Sequence, residues 1–165
     1  MYDALVKTAS NAEKSSQYQQ TLERIEALIA QESDWISAMA TVVCELHHSF
    51  ESFNWTGFYR AVENNTLKIG PYQGSHGCLV IPFSKGVCGK AATTKKTQLV
   101  QDVDQFPGHI ACSTSTISEI VVPVISSTGE VMAVLDVDSN HANVFNEVDK
   151  KWLEQLCGLL GKKFC

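Results

Sequence analysis

Apolar residues recur at helical spacing at both ends of this chain and alternate like strands between. In residues 14–31, Tyr18, Leu22, Ile25 and Ile29 stand four, three and four apart, which is one face of a helix. A second stripe over 34–49 carries Trp35, Met39, Val42, Val43 and Leu46, with Asp34 placed as an N-cap or first-turn residue. The last stretch, 146–163, returns to the same period through Val148, Trp152, Leu156 and Leu159.

Between these ends the pattern shortens. Segments 53–62, 66–72 and 78–83 are rich in aromatic and branched residues, and Asn64-Asn65 and Gly74-Ser75-His76-Gly77 punctuate them as turns. Residues 86–94 predict a short helix and 97–103 a brief strand. Segments 117–126 and 130–138 predict a hairpin turning at Ser127-Thr128-Gly129. About six strands between terminal helices predict an α+β domain with a central, largely antiparallel sheet. The two N-terminal helices and the C-terminal helix would cover one face, and the loop 102–116 the other. Residues 1–165 read as a single domain, with 1–13 as a flexible N-terminal segment.

Composition narrows the class of function. The chain is 44% hydrophobic and 19% charged, enough apolar material for one core. Its formal charge is -5, without a basic run or aromatic-basic stripe, which speaks against nucleic-acid binding. No secretory signal pattern opens the sequence, and no apolar run approaches the roughly 20 residues that span a bilayer. A cytoplasmic, reducing location is therefore expected, with no membrane contact.

In that setting six cysteines point to catalysis, metal binding or simple burial rather than to a disulfide framework. Cys44 and Cys157 lie in helical stretches and fit inert burial, and Cys165 is terminal. Cys78, Cys88 and Cys112 cluster mid-chain. Cys112 follows a Pro-Gly turn inside a run of small polar residues, where a thiol is reached by solvent. A free thiol titrates near ~8.5, so a nucleophile there needs local activation. His76, Cys78, Cys88, His109 and Cys112 also offer enough nitrogen and sulfur for a zinc site, but no C-x-x-C pair is present.

Three carboxylates form the second anomaly. Glu119 shares a strand face with Ile117 and Val121, and Asp136 and Asp138 are two apart on one face. Either all three end their strands in water, or they are buried and used, since an unpaired buried carboxylate is costly. A carboxyl with a raised pKa is the usual form of a general acid. Trp55 reads as a core aromatic or as the wall of a ligand site.

Taken together, NWTGFYR, GPYQGSHGC, GVCGKAA, FPGHIACSTSTISEIVVPV and LDVDS, in this order over residues 52–139, resemble the free methionine-(R)-sulfoxide reductases, small GAF-domain proteins. The resemblance implies a single GAF-like domain that reduces free L-methionine-(R)-S-oxide. It implies Cys112 as the nucleophile, Cys78 as the main resolving cysteine and Cys88 as an alternative or relay. Glu119, Asp136 and Asp138 would surround the substrate's polar atoms, and Trp55 would pack on its methyl end. No metal or organic cofactor is implied, and thioredoxin would return the disulfide to thiols. The chain departs from the family at Ser113, where the family typically carries Asp.

A rival reading is a GAF-type sensory module that binds a small ligand without chemistry. Three central cysteines are unexplained by passive binding. Exposed faces of the end helices could also pair in a homodimer.

Overall fold

Ser10 starts the first helix. Its hydroxyl accepts from the Glu13 amide, and the Glu13 carboxylate accepts from the Ser10 amide at 2.7 Å, a capping box. Helix α1 (Asn11–Leu28) therefore begins earlier than its apolar stripe, and Ser10–Glu13, expected in the flexible segment, belong to the helix start. The computed structural model describes residues 10–108 and 115–165. Asp34 caps α2 (Trp35–Ser49) as expected, accepting from the Ser37 amide at 2.7 Å.

The strands follow as β1 (Trp55–Val62), β2 (Thr66–Gln73) and β3 (Val80–Pro82). Then come α3 (Gly86–Thr94), β4 (Gln98–Val100), a 3-10 turn at Val103–Gln105, β5 (Ser118–Ile125), β6 (Val131–Ser139) and α4 (Glu147–Phe164). The six strands form one sheet in the order β3-β2-β1-β6-β5-β4, each neighbouring pair antiparallel.

Strand alternation sorts the side chains into two layers. Phe58, Ile120, Val122, Val124, Leu135 and Val137 face α1, α2 and α4, where the predicted helical stripes meet them. Trp55, Tyr59, Val121 and Val134 face the other way, against Val87, Cys88, Ala91 and Ala92 of α3. The main described cover of that second face is thus α3 rather than the loop 102–116. That loop contributes Val103 and Phe106 to the same layer, and its residues 109–114 lie outside the described residues.

One buried carboxylate ties the helical layer together. Asp149 closes the α4 capping box with Asn146 and also accepts from Lys14 Nζ and Tyr18 Oη, both at 2.8 Å, joining α4 to α1. Among the described residues, no helix is long and apolar enough to cross a membrane.

Candidate active site

β6 runs through the middle of the sheet. Because Leu135 and Val137 point to the helices, Asp136 and Asp138 point to the α3 side. Register completes the row: Asp138 stands between Trp55 of β1 and Glu119 of β5, and Asp136 between Gly57 and Val121. Sequence spacing put the two aspartates on one face, but only the register brings Glu119 and Trp55 beside them.

These carboxyls do not end their strands in water. Glu119 and Asp136 are 6% and 5% exposed, and Asp138 is half-buried. Burial is the largest cause pushing all three upward, and the neighbouring acids push Glu119 and Asp138 further. Asp136 stops at about 7, because hydrogen bonds from Cys88 and Glu119 pull it back down. Glu119 is thus the group that holds its proton and donates it to Asp136. Asp138 keeps some solvent contact, yet the packed protein on its inner side still makes desolvation dominate. None of the ion pairs among the described residues involves these acids.

Cys88, in the first turn of α3, is the third member of the buried group. Its Sγ donates to Asp136 Oδ2 at 3.3 Å, and burial beside the acids pushes its thiol up. Asp136 Oδ1 is buried with no hydrogen-bond partner among the described residues. An orphaned buried acceptor is costly and marks a place prepared for a donor.

Cys88, Glu119 and Asp136 bring ligand atoms within 4.8 Å of one another, and are the residues best placed to hold a metal among those described. Two of them hold protons that a metal would have to displace. This set differs from the sequence-level zinc candidate. His76 is exposed in the bend after β2, apart from this group, and His109 lies outside the described residues.

Trp55 forms the wall. It stacks on Tyr59 at 5.7 Å and on Tyr72 at 5.4 Å between centroids, and its Nε1–H donates to the Ser75 carbonyl at 2.8 Å. The glycine at 57 is required for this: a Cβ there would lie 2.5 Å from the Trp55 ring and 2.6 Å from Tyr72 Cβ. Tyr59 also borders the acids, and burial pushes its hydroxyl strongly upward. Cys78 is half-buried just before β3 and is disulfide-bonded, while Cys44, Cys88, Cys157 and Cys165 are free thiols. Cys112 lies outside the described residues.

The family model for the GAF domain matches residues 31–162. The chain is 43% identical over 163 residues to the free methionine-R-sulfoxide reductase of Saccharomyces cerevisiae, covering 95% of this chain and 91% of that protein. The Escherichia coli free methionine-R-sulfoxide reductase is 38% identical over 136 residues, covering 82% and 81%. The free methionine-R-sulfoxide reductase of Neisseria meningitidis, solved in complex with its substrate, superposes with a TM-score of 0.88 at 39% identity, covering 99% of this chain and 96% of that one. The chain belongs to the free methionine-R-sulfoxide reductase family.

Within that GAF fold, four of the seven site residues expected from the sequence converge around Asp136: Cys88, Glu119, Asp138 and Asp136 itself. Trp55 lies in the adjoining register position. Cys157 is buried as expected, but Cys44 on α2 is only half-buried. Tyr59, Tyr72 and Gly57 were not anticipated. Trp55, Gly57 and Tyr59 alternate on one strand face, so the signal for two of them was present in the spacing.

Proposed function

We propose that this member of the free methionine-R-sulfoxide reductase family reduces free L-methionine-(R)-S-oxide to methionine, using Cys112 and Cys78. The observation that carries this reading is the buried acid pair Glu119–Asp136, one acid holding a proton and the other presenting an oxygen that has no partner among the described residues. A sulfoxide sulfur is a weak electrophile until its oxygen is protonated or strongly hydrogen-bonded.

Glu119 supplies that proton as the Cys112 thiolate attacks sulfur. The adduct then collapses: the Cys112–methionine S–S bond and the methionine S–O bond break, methionine departs as the thioether, and the OH passes to the Cys112 sulfur as a sulfenic acid. The Cys78 thiol attacks this sulfur, water leaves with the oxygen, and a Cys78–Cys112 disulfide forms. The disulfide state of Cys78 fits such a step. Two thiols are oxidised and one sulfoxide is reduced, so the electrons balance. The Trp55–Tyr59–Tyr72 stack packs on the methyl end, and half-buried Asp138 takes the ammonium group at the rim.

Thioredoxin would return the disulfide to thiols, the protein would work in the cytoplasm, and two copies would pair through the end helices. A purely sensory GAF module would leave the Cys78 disulfide and the proton-holding acids without a role. The test is a single-turnover assay of methionine released per chain, followed by mass analysis of the cysteines. Cys112→Ser should release none, because a serine hydroxyl is a far weaker nucleophile. Cys78→Ser should release about one equivalent and then stall as a sulfenic acid. A Cys112→Ser protein that releases one equivalent would misassign the nucleophile, and a thiol count unchanged by methionine sulfoxide would favour the sensor.

A further inference from the structure

Resting on that reductase reading, we propose that Cys88 is a positioning residue. Its S–H fixes the Asp136 carboxylate so that Oδ1 alone is left to meet the substrate, and its sulfur takes no part in disulfide exchange.

The geometry carries both halves. The Cys88 thiol donates to Asp136 Oδ2 at 3.3 Å, and the Glu119 carboxyl stands beside the same carboxylate, with polar atoms of all three groups within 4.8 Å of one another. Among the described residues, Oδ1 is the buried oxygen without a partner. With one oxygen anchored, the carboxylate plane is set and its free lone pairs have a single direction. Without the S–H, only the Glu119 proton would hold the group, and the carboxylate could turn.

The second half follows from access. A resolving or relay thiol must ionise and reach a sulfur in line for attack. Cys88 is 4% exposed, and an ionised sulfur there would face two acids. Its helix is also pinned. At the next residue, Gly89, a Cβ would lie 2.6 Å from the Pro82 carbonyl oxygen and 2.7 Å from that of Phe83. One turn on, Thr93 Oγ1 donates to the same Phe83 carbonyl at 2.8 Å. The start of α3 therefore sits flush on the end of β3, and Cys88 has no route outward by a small helix shift. Cys78 is disulfide-bonded while Cys88 remains a free thiol, so the oxidised state does not engage it.

The groups that face Asp136 are Glu119 from β5, Asp138 on its own strand, Tyr59 from β1 and Cys88 from α3. Replacing Cys88, a neutral thiol, leaves the charge of the site unchanged.

The experiment compares wild type, Cys88→Ala and Cys88→Ser by the pH profile of kcat/KM with thioredoxin as reductant. Ionised Asp136 is the acceptor, so activity should rise with pH through its titration. The S–H bond pulls Asp136 down, so Cys88→Ala should move that rising limb to higher pH and lower kcat/KM about tenfold near neutrality. Cys88→Ser, which keeps a donor, should recover part of the shift, and both variants should continue through many turnovers.

Independently of activity, the infrared S–H stretch lost in Cys88→Ala should lie at the frequency of a hydrogen-bonded thiol and move in Asp136→Asn. Cys88 found in a disulfide during turnover would overturn the proposal. So would either variant stalling after one methionine, a Cys88→Ala profile equal to wild type, or a stretch unmoved by Asp136→Asn. If the hydrogen-bonded band is present but the wild type reduces no sulfoxide, the reductase reading fails and not the hydrogen bond.

Discussion

Replacing Asp136 with asparagine should stabilise the substrate-free protein at neutral and alkaline pH while removing its activity. Burial raises this carboxyl from 3.8 to about 7. An acid whose folded pKa is raised contributes no loss below its unfolded pKa. As pH climbs from 3.8 the unfolded chain releases the proton and the folded chain keeps it, so stability falls until about pH 7 and then levels. Three units at about 1.4 kcal/mol each give roughly 4 kcal/mol lost at pH 8.

Asparagine avoids that loss but puts an amide at the orphaned Oδ1 position, which costs about 1–3 kcal/mol. The variant should therefore gain about 2 kcal/mol at pH 8, equivalent to about 4–8 °C in Tm for a domain of this size, and be less stable than wild type by about 1–3 kcal/mol near pH 4, where the wild type carries almost no ionisation loss. Residual pH dependence in the variant belongs to Glu119 and Asp138, whose own shifts shrink once the Asp136 charge is gone. The assay is urea unfolding of the fully reduced protein at intervals from pH 4.5 to 8, beside kcat/KM, which should fall at least about 100-fold. A stability difference between the two proteins that stays constant across this range would refute the reasoning.

Two further substitutions separate site from scaffold. Gly57→Ala puts a Cβ against the Trp55 ring and Tyr72, so the aromatic stack must shift; KM for the free sulfoxide should rise about tenfold or more, measured by steady-state kinetics. Asp149→Ala removes the acceptor of Lys14, Tyr18 and the Asn146 amide and should cost about 3 kcal/mol in urea unfolding. Its kcat/KM per folded molecule should be unchanged, because this network lies in the helical layer.

Local periodicity accounts for most of what was legible in the sequence. The stripe Tyr18, Leu22, Ile25 and Ile29 is buried as its spacing implies, in the helical layer against α2 and α4, and Asp34 caps its helix. The hairpin of β5 and β6 turns where Ser127-Thr128-Gly129 predicted. What was not legible is register and long-range contact. Nothing local tells that Glu119 pairs across from Asp138, or that Cys88 meets Asp136 48 residues away. The role implied for Cys88 by resemblance, a redox relay, needed its burial and its partner before it could be questioned. The start of α1 was misplaced because Asn11–Glu13 carry no apolar stripe; there the helix is set by the Ser10 cap.

The most direct test of the central claim is turnover of four separate substrates by the full chain with thioredoxin and its reductase. These are free L-methionine-R-sulfoxide, the free S epimer, N-acetyl-methionine sulfoxide and a peptide-bound sulfoxide. A site in which Asp138 takes a free ammonium and Glu119 protonates one sulfoxide oxygen should reduce only the first at an appreciable rate, because acylating the amine removes its charge. Comparable rates on the acetylated or peptide-bound forms, or no methionine from the free R epimer, would contradict it.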